Sequence, residues 1–105
     1  MKQPAPDPST PELDIKQRLN LQTAKIAWRE LEKFFASGKA VYVDSSLDLI
    51  DVAAAMHDDD ADQIKALMSS GSVGLVSDDQ ALRWSDKKSD LWAVVVSPWV
   101  LVQQP

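Results

Sequence analysis

The segment His57-Asp58-Asp59-Asp60-Ala61-Asp62 puts one imidazole and four carboxylates within six residues. Those groups could hold a divalent cation or move protons. Asp58, Asp60 and Asp62 match the first three acidic positions of a calcium-binding loop. The match ends there. Gln63 stands where that loop needs glycine for its sharp turn, and no glutamate follows at the closing position. Adjacent carboxylates on a helix also point apart. The run reads as a junction between two helices, with one Asp capping the second helix and the others in solvent. Weak, non-selective divalent binding is the chemical alternative.

Asp48 and Asp51 form a second pair, three residues apart on one helix face, with Asp44 just before them. Paired carboxylates do acid–base work when burial or neighbours drive their pKa values apart. Otherwise they are favourable residues at the positive end of a helix dipole. His57 is the lone histidine. A general base needs a nucleophile and an orienting group, and no serine here lies in a G-x-S-x-G elbow. A surface histidine near a helix C-terminus is the simpler reading. The candidate ligand or metal residues are therefore Asp48, Asp51 and His57. No catalytic set and no cofactor are assigned.

Other chemistry is narrowed by composition. The absence of cysteine removes disulfides, thiolate zinc sites and thiol nucleophiles. Three glycines build no phosphate-cradling loop. A net charge of −5 with no basic cluster argues against nucleic acid. No apolar stretch reaches membrane-spanning length and no signal-peptide core opens the chain, so a cytoplasmic protein without a membrane partner is expected.

The length of 105 residues suits one domain. Residues 1–11 hold four prolines and little to bury, and read as a disordered lead-in to a single domain over 12–105. Thr10 suits a cap and Pro11 a first helical position. A long helix is expected from Glu12 to Ser37, closed by Gly38. Leu13, Leu21, Ala24, Ala27, Trp28, Leu31, Phe34 and Phe35 form its main apolar face, and Ile15, Leu19 and Ile26 lie on the opposite one. Arg29, Glu30 and Glu32 read as solvated surface. A strand over Ala40–Val43, a helix capped by Ser45 or Ser46, a helix opened by Asp60 and ended by Gly71, a short strand in "SVGLV" and a helix opened by Ser77 and Gln80 follow.

The closing "LWAVVVSPWVLVQ" is apolar on both alternating faces, as in a central strand. A kink at Ser97–Pro98 would let Trp99–Val102 change partners, and if that strand lies at the edge of its sheet its apolar length is a hazard that another chain would cover. The apolar edge and the two-faced helix both point to a homodimer or another protein partner. The partner-binding residues expected are Ile15, Leu19, Ile26, Trp99 and Leu101, with Trp99 as an exposed anchor. The fold class is α+β: a small, mainly antiparallel sheet of three or four strands against the long N-terminal helix and shorter helices.

The stretches "WRELEKFFASG", "VDSSLDLIDVAAA" and "LWAVVVSPWVLVQ" resemble the signatures of a family of small bacterial proteins of unknown function. The resemblance spans Leu19 to Gln103. It implies a compact single domain and transfers no activity, substrate or site residue. A non-enzymatic interaction or self-association module is the leading expectation. A small-molecule or metal-dependent binder or enzyme using Asp48, Asp51 and His57 is the alternative.

Overall fold

A computed structural model describes residues 11–105, with side chains from residue 15 onward. The expected lead-in, apart from Pro11, lies outside the described residues, as do the Thr10 cap and the side chain of Leu13. The elements run α1 (Pro11–Gln22), β1 (Ala24–Ala27), α2 (Trp28–Ala36), β2 (Ala40–Val43), α3 (Leu49–His57), α4 (Ala61–Ser69), β3 (Val73–Leu75), α5 (Asp78–Asp86), β4 (Asp90–Val96) and β5 (Trp99–Gln103). The α+β class holds. The strand number is corrected: among the described residues five strands form one sheet, in the order β1-β4-β5-β2-β3. Only β2 and β5 pair in parallel; the other pairings are antiparallel.

The long N-terminal helix is also corrected. It stops at Gln22, where the Thr23 hydroxyl donates to the Leu19 carbonyl over 2.7 Å. The chain then crosses the sheet edge as β1, with Ile26 opposite Leu91 and Ala24 opposite Ala93. It re-enters helix at once, and the Trp28 N–H donates to the Ser89 carbonyl over 2.8 Å. This break explains the two apolar faces. Ile15 and Leu19 pack on one side of the sheet with α3 and α4. Trp28, Leu31, Phe34 and Phe35 pack on the other side with α5. A straight helix cannot serve both sides of a sheet. A strand between two helices can, and β-branched Ile26 suits that strand.

The apolar face of β4 and β5 is doubled for the same reason. Val94, Val96 and Leu101 point into the α1–α3–α4 side, and Leu91, Ala93, Val100 and Val102 into the α2–α5 side. The first side is aliphatic. Ala53 and Ala54, almost without exposed surface, let α3 lie close on it. The second side is aromatic, with the Trp28 and Trp84 rings edge to face at 5.2 Å between centroids.

The closing segment is corrected too. β4 and β5 pair with each other as a hairpin turning at Ser97–Pro98, and β5 also pairs with β2. β5 is thus central, not an edge. The edges are β1 and β3.

Four helices end alike. Each carries a residue in the left-handed region just past its end: Gly38, Asp59, Gly71 and Lys88, with φ between 51° and 81°. Each is followed by an N–H returning to the last turn, such as Asp60 N–H to the Ala55 carbonyl at 2.9 Å. Glycine takes that backbone freely; Asp59 and Lys88 take it at a cost.

Candidate functional site

The acidic run has a structural role at each end. Asp59 makes the left-handed turn closing α3, and Asp60 caps α4 by accepting from the Gln63 N–H over 3.3 Å. His57 ends α3, with Nδ1 3.4 Å from a carboxylate oxygen of Asp58, both side chains about half exposed. Asp48, rather than Ser45 or Ser46, is the cap of α3; it accepts from the Ile50 N–H at 2.9 Å and the Asp51 N–H at 3.4 Å. Asp51 faces Lys16 of α1 at 3.2 Å.

These residues are not brought together. Asp48 and His57 bound a helix of nine residues, and at about 1.5 Å rise per residue they stand more than a nanometre apart. Among the described residues no three His, Asp or Glu side chains form a group that could hold a metal ion. A cleft of about 350 Å³ does open beside His57, between Arg18 and Leu19 of α1 and Val95 of β4. Asp48 and Asp51 do not line it.

Asp44 instead joins β2 to the turn before α3. Its carboxylate accepts from the Ser46 hydroxyl, from the Ser46 N–H at 3.0 Å and from the Tyr42 hydroxyl at 3.0 Å. These bonds, the Ser46 hydroxyl foremost, hold its pKa below the usual carboxylate value. Burial, and then the Asp44 carboxylate, push the Tyr42 phenol up. Gln103 locks the same corner by donating to the Asp44 and Leu47 carbonyls at 2.9 and 2.8 Å. The bonding closes on itself and serves the fold.

Of the expected partner-binding residues, Leu101 has no exposed surface and Leu19 keeps 5% of its own. Both belong to the aliphatic core. Ile15 and Ile26 are half-buried against the two cores. Trp99 is partly exposed and lines a groove of about 320 Å³ beside β3, together with Val41, Met56, Ile64, Met68 and Leu75. Its walls carry no charged side chain. Leu75 is 58% exposed and Met68 53%.

Among the described residues no helix is long and apolar enough to cross a membrane. The family model described as "Protein of unknown function (DUF2288)" matches residues 14–104. The chain belongs to the DUF2288 family. The match reaches beyond the span of the three signature stretches at both ends. The NMR solution structure of PA1075 from Pseudomonas aeruginosa is similar, with a TM-score of 0.76 and 35% identity over 98% of this chain and 93% of that one. No curated protein matches the chain.

Two features of this DUF2288 chain escaped the sequence reading. Met68 and Leu75 sit in elements recognised correctly, but their exposure depends on which strands are edges. Arg29, read as solvated surface, lines a further cleft with Trp28, Trp84 and Lys88. Those residues meet only because α2 and α5 share one side of the sheet, and no spacing in the sequence announces it.

Proposed function

We propose that this protein is a non-enzymatic module that pairs with a second copy of itself along β3. The carrying observation is the open edge of that strand beside the charge-free groove. The Ser72 carbonyl accepts from the Asp44 N–H, just past β2, and the Val76 N–H donates to the Ala40 carbonyl of β2, so by alternation Gly74 also faces β2. The N–H and C=O groups of Val73 and Leu75 then point away from it, and among the described residues no strand pairs on that side. An unpaired apolar edge is a template for another strand.

A second copy fits because the edge is self-complementary. Antiparallel pairing about a two-fold axis at Gly74 sets Val73 of one copy against Leu75 of the other. It extends the sheet and covers both grooves, removing Leu75 and Met68 from water. Gly74 supports this reading. A Cβ built there meets nothing within 4 Å, so the chain's own packing does not demand glycine, whereas close approach of another backbone would. Each copy carries −5, so the pair repels at long range, and association should tighten with salt.

Light scattering tests this. The expected mass is twice 11.6 kDa, falling to one chain in Leu75→Lys with an unchanged circular dichroism spectrum. A wild-type monomer at about 100 µM, a concentration at which even weak specific pairs populate, overturns the reading.

A further inference from the structure

Trp28 and Trp84 are 1% and 2% exposed. Neither indole N–H has a hydrogen-bond acceptor among the described residues. Buried indole N–H groups normally find one, and an unmet buried donor is costly. Both residues line a cleft of about 470 Å³ between the start of α2 and the end of α5. Its size lies in the range of small-molecule sites.

The remaining walls add donors and positive charge. Arg29 and Lys88 line the cleft with Ser85 and Ser89. Neither cation has an ion-pair partner among the described residues. The start of α2 is here too: the Trp28 N–H is taken by the Ser89 carbonyl, but Ala27 offers no side-chain cap to the N–H groups that follow, so the positive dipole end still adds to the charge at the cleft. Lys88 holds φ of 51° where glycine would be easier. Glu32 is the one carboxylate on the walls, leaving the two cations one charge ahead. That balance favours a monoanion over a dianion.

We infer that this cleft binds a small organic carboxylate, its charged end held by Arg29, Lys88 and the unmet indole N–H groups of Trp28 and Trp84, beside the start of α2. An edge-to-face ring pair with paired-off charges would need none of these donors. The site is separate from the β3 edge, and its occupancy does not depend on pairing.

The test is an NMR titration with benzoate, reading the four indole N–H signals. Trp28→Phe and Trp84→Phe assign the two that matter. Benzoate is expected to shift the Trp28 and Trp84 signals and leave Trp92 and Trp99 in place, with benzylammonium and benzyl alcohol having little effect. Arg29→Gln should weaken binding about tenfold, the scale of one charge-assisted contact. Lys88→Gly should also weaken it while raising the thermal midpoint, because glycine suits that backbone; a purely structural lysine would show only the second effect. The inference fails if acetate, benzoate and phenyl phosphate all leave the two signals unmoved at about 10 mM, ten times the concentration that half-fills a millimolar site. It fails equally if the neutral and cationic probes shift them as strongly.

Discussion

At one side of the sheet, β1 sets Lys25 beside the Trp92 ring, its ammonium 5.4 Å from the ring centroid. Helix begins again directly after Ala27 and ends just before Thr23. At the other side, β3 has only Val73, Gly74 and Leu75, with no charge on the strand. Its covering helix α4 has no fully buried residue. One edge carries a lysine, a common device against strand addition. The other leaves apolar side chains and backbone groups open together. An edge's fate depends less on its length than on what stands beside its free hydrogen-bonding groups.

The largest expected effect separates the two edges by their cores. Leu91, opposite Ile26 of β1, has no exposed surface. Leu91→Ala should lower stability by about 2–5 kcal/mol, the usual range for a buried leucine. Leu75→Ala at β3 should cost the monomer less than about 1 kcal/mol, since its side chain is already largely in water. Urea midpoints measured where the chain is monomeric compare the two. Equal losses would mean that the chain itself covers Leu75.

Moving the protective charge tests the edges themselves. In a Leu75→Lys background, which closes β3, Lys25→Val should open β1 and restore association by light scattering. The cost to the fold should stay within about 1 kcal/mol, the worth of an exposed cation–π contact. A variant that stays monomeric would show that the flanking helices protect β1 without the lysine.

How far the sequence carries this contrast depends on the element. The strand Ala40–Val43, the Ser77–Gln80 capping box and the stops at Gly38 and Gly71 were legible because each is set by adjacent residues. The centrality of Trp92–Val96 was legible from its two apolar faces. The helix expected over 12–37 failed because Leu13 to Phe35 keeps helical spacing through β1. Its four residues obtain their hydrogen bonds from β4, which lies more than sixty positions away. β5 misled for a related reason: Pro98 marks a turn, and partners on both sides turn an apparent edge into the centre. The acidic residues were legible as caps and turns, though Asp48 displaced the nearby serines. The tryptophan cleft was invisible, being made by two helices that the sequence does not place together.

A smaller effect concerns the helix over the open edge. Asp60 caps α4, which packs beside β3. Asp60→Ala should cost about 1 kcal/mol, as for other N-caps. Hydrogen exchange should quicken across α4 and leave α5 as it was, because Ser77 and Gln80 cap that helix independently. Uniform quickening would mean that the helices open as one unit and that α4 is not the weak cover of the groove.

The smallest effect is a pH dependence at the root of β3, where the Asp44 N–H donates to the Ser72 carbonyl over 2.8 Å. The bonds from Ser46 and Tyr42 favour the Asp44 carboxylate and depress its pKa below 3.8. Asp44 therefore adds stability that is complete above the unfolded value, near pH 4, and disappears as pH falls through the depressed folded value. Asp44→Asn should lower the urea midpoint slightly at pH 7. The gap from wild type should close on acidification below pH 4, as the wild-type carboxyl takes up its proton and loses its advantage as an acceptor. A gap of constant size down to pH 2 would show that the corner is held by Gln103 and the backbone ladder alone. The anchoring of β3 would then owe nothing to charge.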